Sequence, residues 1–129
     1  MKRNNKKRKR FTTLSFELNE SHIDPKSKII ELDSKHPALY VAYEFRGESL
    51  AQLGYYNKAI LDYTKSIEID HPNISMTYYY RGLCYSKIGD WNSFCADSKK
   101  SIELGIQVNG AKDLELEKTI KNYIDEYCN

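Results

Sequence analysis

An all-α fold is what this sequence predicts: a short solenoid of antiparallel helix hairpins closed by a C-terminal helix. Three observations predict it. The chain repeats itself every 35 residues. Apolar residues inside each repeat recur at helical spacing. Glycine and proline number only 6 and 3, too few for a turn-rich sandwich.

Shifted by 35 residues, the chain matches itself at 12 of 35 positions without a gap. His36-Pro37 falls on His71-Pro72, and Tyr43, Arg46 and Gly47 fall on Tyr78, Arg81 and Gly82. Gly54 falls on Gly89. Asp62 and the run Lys65-Ser66-Ile67-Glu68 fall on Asp97 and Lys100-Ser101-Ile102-Glu103. A period of this size belongs to helical arrays, in which each unit buries its apolar face against a neighbour. The repeats span about 36–70 and 71–105.

A proline precedes the first helix of each unit, expected over about Ala38–Leu53 and Asn73–Ile88. Gly54 and Gly89 stop these helices, since glycine tolerates the left-handed turn that a stop requires. The second helices are expected over about Tyr56–Ile69 and Trp91–Leu104, with Asp90 as N-cap of the latter. Ile60, Tyr63 and Ile67 recur at helical spacing in one, as do Trp91, Cys95, Ser98 and Ile102 in the other.

Flanking segments extend the pattern. Asp24-Pro25 opens a short helix through Ile29, Ile30 and Leu32, whose Ile-Glu-Leu-Asp tail echoes Ile67-Glu68-Ile69-Asp70. After the last repeat, Gly105 to Gly110 is expected to be a loop. Ala111 to Tyr127 is expected to be an amphipathic capping helix, with Leu116, Ile120, Tyr123, Ile124 and Tyr127 on its apolar face.

The net charge of +2 conceals a division. Residues 1–10 carry seven basic groups and no acid, and the remaining 119 residues hold 13 basic against 18 acidic side chains. Residues 1–21 therefore form a basic tail, expected to be disordered, ahead of an acidic helical domain over 22–129. Such an arm is suited to nucleic acid or to an anionic membrane surface, with residues 2–10 as its contact. It is no secretory signal, because Phe11-Thr12-Thr13-Leu14-Ser15-Phe16-Glu17 is too polar for the apolar stretch that must follow. No apolar run is long enough to span a membrane. Cys84, Cys95 and Cys128, odd in number and without C-x-x-C spacing, are expected to be reduced thiols in a cytoplasmic protein.

No phosphate-binding, dinucleotide-binding or nucleophile-elbow motif occurs, and His22, His36 and His71 lack metal-ligand spacing. No enzymatic activity, metal or cofactor is expected. Arg46 and Asp62 lie 16 residues apart, as do Arg81 and Asp97, so each pair puts opposite charges midway along the two helices of a hairpin. An ion pair inside each hairpin is expected.

Together these residues resemble tetratricopeptide repeats. The likeness rests on Tyr43-x-x-Arg46-Gly47, Gly54-x-Tyr56-x-x-Ala59-Ile60-x-x-Tyr63 and Ile67-Glu68-Ile69-Asp70. In the second unit it rests on Tyr78-x-x-Arg81-Gly82, Gly89-Asp90-Trp91 and Ser101-Ile102-Glu103-Leu104. Small residues at Gly47, Gly82 and Ala59 would let paired helices approach closely. The pattern departs at Phe94, where the family has a small residue, so the second helix there is expected to shift by about one residue or to pack more widely. Gly105 stands where a proline is usual.

The resemblance implies a right-handed solenoid that binds peptides or protein segments on its concave face. By position, that face holds Val41, Glu44, Phe45, Glu48 and Gln52 in the first unit. In the second it holds Met76, Tyr79, Tyr80, Leu83 and Lys87. Tyrosine offers large contact area at modest entropic cost. Tyrosines at this spacing also commonly pack against the next helix, and the C-terminal helix is placed to cover them. Family members that bind chaperones grip a C-terminal carboxylate with lysine and asparagine; Glu44 and Glu48 stand there instead and would repel one. A basic and apolar segment is the expected ligand, with a homodimer and a nucleic-acid role through the tail as alternatives.

Overall fold

The computed structural model describes residues 38–128. The basic tail, the short helix around Ile29 and the His36-Pro37 junction lie outside the described residues. Five helices and one small ribbon make up the described chain: α1 (Leu39–Gln52), α2 (Tyr56–Glu68), α3 (Ile74–Lys87), α4 (Trp91–Leu104), β1 (Gln107–Val108), β2 (Ala111–Lys112) and α5 (Leu114–Tyr127). This is a mostly helical protein, compatible with a helical repeat. The chain divides into two compact units at the junction between Ile69 and Asp70.

Helix ends follow the local chemistry. Gly54 and Gly89 have φ of +86° and +82°. Around each, two backbone bonds close the helix: Gly54 N–H to Ala51 O and Tyr55 N–H to Leu50 O in one unit, Gly89 N–H to Ser86 O and Asp90 N–H to Tyr85 O in the other. This double closure satisfies carbonyls that a helix end leaves orphaned. Asp90 caps α4 by accepting from the Ser93 backbone N–H at 3.1 Å and the Ser93 hydroxyl at 2.7 Å.

In the first unit α1 and α2 run antiparallel, with Glu44 opposite Ser66 and Arg46 opposite Asp62. Leu39, Tyr43 and Ile69 form a buried cluster, with Tyr40 and Ala42 packed against it. A Cβ added at Gly47 would come within 2.9 Å of the Tyr63 ring, so the bare backbone is what admits that ring. At Gly82, in the second unit, the same test meets the Asp97 Cβ at 3.1 Å.

Phe94 does not shift its helix. Arg81 reaches Asp97 across the same 16-residue separation that links Arg46 and Asp62, so the register is the same in both hairpins. The extra volume is offset one turn later. The first unit has small Ala59 and large Tyr63, and the second has large Phe94 and small Ser98, all four buried. Ser98 packs imperfectly, because its hydroxyl oxygen is buried without a hydrogen-bond partner.

The segment expected to be a loop is a tight β-hairpin. Gln107 pairs with Lys112 and Val108 with Ala111. Asn109 and Gly110, with φ of 54° and 80°, make the two-residue turn. Both central residues at positive φ is the turn whose twist suits a hairpin, and Asn-Gly is its strongest local signal. Consequently α5 begins at Leu114 and not at Ala111, with Asp113 accepting from the Leu116 N–H at 2.9 Å. The ribbon aims α5 back across the second hairpin. There Ile120 and Ile106, neither with any exposure, join Met76 and Tyr79 in one core, flanked by Leu83, Ile102, Leu116 and Ile124. Full burial of a side chain such as Ile120 stabilises by roughly 2–3 kcal/mol.

Candidate docking face

Both hairpins are held by the same polar device. Arg46 donates from Nε to Asp62 Oδ2 at 2.6 Å and from Nη to Oδ1 at 2.5 Å. Arg81 donates in the same way to Asp97 at 2.8 and 2.7 Å. The expected ion pairs therefore form in both units, as two-pronged forks. Arg46 also lies 5.8 Å from the Tyr43 ring centre, and Arg81 5.4 Å from that of Tyr78. Burial raises the Asp62 carboxyl to about 6, against the lowering pull of Arg46. These charges are structural: each is consumed by its partner and turned away from solvent.

With that face of α1 committed, its other side is presented outward. Val41 is 39 % and Phe45 55 % exposed, and Glu48 and Gln52 are exposed as well. Positions 41, 45, 48 and 52 lie on one helical stripe. Glu44 is half-buried and accepts a hydrogen bond from the Ser66 hydroxyl at 3.4 Å. The result is an aromatic ring in the open, bordered by carboxylates.

The second unit treats the corresponding positions differently. Met76 and Tyr79 are buried and Leu83 half-buried, all against Ile106 and the apolar face of α5. The expectation that these three side chains form open docking surface is corrected: Met76 and Tyr79 are core, and Leu83 is partly covered against it. The exchange of side chains explains this. Glu44 and Glu48 of the first unit are replaced by Tyr79 and Leu83, which Leu116, Ile120 and Ile124 can cover without stranding a charge. Burial raises the Tyr79 hydroxyl above its ordinary pKa, with Tyr123 and Tyr80 adding to the effect. Tyr80 is exposed, its ring centre 6.3 Å from that of Tyr79, and Lys87 is exposed too.

Two features escaped the sequence reading. Trp91 stacks on Tyr127 at 4.9 Å, and Phe94 meets Trp91 edge-on at 5.5 Å. Beside this cluster, Cys95 and Cys128 are joined in a disulfide, with Cα atoms 5.6 Å apart. The expectation of three reduced thiols is corrected for this pair. A free cysteine remains at Cys84, buried in α3, where desolvation raises the thiol to about 11. C-x-x-C spacing could not reveal a pair separated by 33 residues; only the return path of α5 brings the two together.

Among the described residues no helix is long and apolar enough to cross a membrane. No family model matches the chain, and no curated protein or solved structure is significantly similar to it. The functional reading therefore rests on the residues themselves.

Proposed function

We propose that this chain is a non-catalytic protein-interaction module of tetratricopeptide type, a short right-handed solenoid that docks a basic and apolar peptide segment. One observation carries the reading: Phe45 stands more than half exposed between Glu44 and Glu48, on a helix whose opposite side is locked by the Arg46–Asp62 fork. Exposed aromatic area rimmed by polar groups is characteristic of recognition surfaces. The carboxylates favour lysine- or arginine-bearing partners and disfavour a terminal carboxylate.

Fluorescence anisotropy tests this with three labelled peptides: one alternating Lys/Arg with Leu/Phe, its Asp/Glu counterpart, and an apolar peptide with a free C-terminal carboxylate. The basic peptide should bind, and Phe45→Ala and Glu48→Lys should each weaken it at least about tenfold, near 1.4 kcal/mol. Equal binding of the acidic peptide, or indifference to both substitutions, would overturn the reading.

The seven basic groups of residues 1–10 favour a second reading, a nucleic-acid contact through the tail. In that case affinity for a DNA or RNA duplex falls with salt with a log–log slope of up to about 6, and the binding disappears when residues 1–10 are deleted. Two repeats are few for independent stability, so homodimerisation, read by light scattering, is the structural alternative. A cytoplasmic location goes with the interaction reading. It places the Cys95–Cys128 pair where disulfides are characteristically transient.

A further inference from the structure

We propose that Cys95 and Cys128 form a reversible redox latch that fastens the end of α5 to α4 and so decides whether the apolar face of α3 stays covered. The argument begins with how α5 is held. Its first half is anchored by Leu116 and Ile120 in the shared core, and Ile120 has no exposure. Its last turn is held differently. Ile124 packs half-buried against the same core, Tyr123 and Tyr127 are exposed, and Tyr127 stacks on Trp91, itself 43 % exposed, and meets the buried Phe94 edge-on at 6.5 Å. Exposed stacking on a helix terminus is weak protection against fraying. The covalent link falls at that point. Cys128 is the C-cap residue of α5, and Cys95 sits on α4 one turn beyond Trp91, so the bond ties down the exposed end of the helix.

Position also suits the pair to exchange. Cys95 and Cys128 are only half-buried, whereas Cys84 is buried in α3 and its thiol stays protonated. Cys95 Sγ lies 3.7 Å from the Tyr127 carbonyl oxygen, an acceptor for the thiol when the bond is open. The oxidant is a low-molecular-weight disulfide. One cysteine thiolate attacks it, forms a mixed disulfide and expels one thiolate. The second cysteine then attacks the first cysteine's sulfur, forms the Cys95–Cys128 bond and expels the other. The protein dithiol is oxidised by two electrons and the small disulfide is reduced to two thiols. A dithiol reductant runs the same steps backwards.

Opening the latch leaves α5 held by its core contacts and the Tyr127 ring stacking alone, and lets its last turn peel away from Trp91 so that the part of the α3 face covered by that turn opens. That the uncovered face would serve a partner rests on the proposed interaction role; the latch itself does not.

The test uses the full chain, treated with oxidised glutathione or with dithiothreitol. Non-reducing peptide mapping should find a Cys95–Cys128 link with Cys84 unmodified, lost on reduction and restored by reoxidation. Amide hydrogen exchange should then show the last two turns of α5 exchanging at least about tenfold faster in the reduced protein, with α1 and α2 unchanged. Cys128→Ser should match the reduced protein without any reductant. Emission from Trp91, the single tryptophan, should shift in step. A link involving Cys84, no link under oxidised glutathione, or identical α5 exchange in the two redox states would overturn the proposal. Peptide binding at Phe45 is a separate readout, so failure of one leaves the other to be judged by itself.

Discussion

Arg46 grips Asp62 with two parallel hydrogen bonds, at 2.6 and 2.5 Å, and 35 residues later Arg81 grips Asp97 in the same way. The Asp62 side chain is 4 % and the Arg46 side chain 13 % exposed, so this is a desolvated pair and not a surface one. Taking two charges out of water is costly, and geometry must return that cost through directed bonds. The repetition of this fork shows that both hairpins solve the same packing problem with the same residues.

Removing one partner of the fork strands the other. Asp62→Ala and Asp97→Ala should each cost about 3–5 kcal/mol in urea-unfolding free energy. Arg46→Met combined with Asp62→Leu should cost less than either single change, since no buried charge is left unpaired. A double variant worse than the sum of its singles would show that the pair contributes more than its own desolvation.

Protonation of Asp62 gives a signed pH dependence. Burial raises its carboxyl from 3.8 to about 6. Between those values the folded chain keeps a proton that the unfolded chain has released. Stability from this group is therefore greatest at low pH and declines as pH rises through 6. The unfolding free energy of the native chain, taken relative to Asp62→Asn, should fall between about pH 4 and 6 and level off above. A rise over that window would contradict the assignment.

The exchange of Ala59 and Tyr63 for Phe94 and Ser98 is testable by transplantation. Ala59→Phe should cost about 1–3 kcal/mol by overpacking, and Tyr63→Ser about 3–5 by cavity formation. Combined, they should cost measurably less than their sum, as calorimetric melting would show. In the second hairpin, Ser98→Ala should be neutral or stabilising by up to about 1 kcal/mol, because it removes a buried hydroxyl that has no partner.

Gly47 gives a steric prediction. Alanine would gain about 1 kcal/mol of helix propensity at an open helical site. Here its Cβ would press on the Tyr63 ring at 2.9 Å, so Gly47→Ala should destabilise by about 1–3 kcal/mol. In a Tyr63→Leu background the same change should cost less, as chemical denaturation can measure.

Much of the fold was legible because its signals are local. Gly54, Gly89 and Asp90 act within one helical turn, and the Arg46–Asp62 and Arg81–Asp97 separations follow from the length of a hairpin. The ribbon over 107–112 is signalled in the sequence only by the Asn109-Gly110 turn, because two-residue strands carry almost no alternation of their own. The Asp113 cap lies two residues beyond the expected helix start at Ala111, because that start falls inside the ribbon.

Of the candidate docking residues, the outward placing of Phe45 and Glu48 agrees with their position along α1. The burial of Met76 and Tyr79 depends on where α5 returns, and the Cys95–Cys128 bond depends on the same path. Repetition and turn chemistry in the sequence thus determined the helices, their stops and the charge pairs within hairpins, since each needs only neighbours within reach of one hairpin. Only the tertiary structure decided which apolar stripe is covered and which cysteines meet. Those outcomes depend on the direction in which the ribbon releases α5, a geometric choice that side-chain spacing along the chain does not encode.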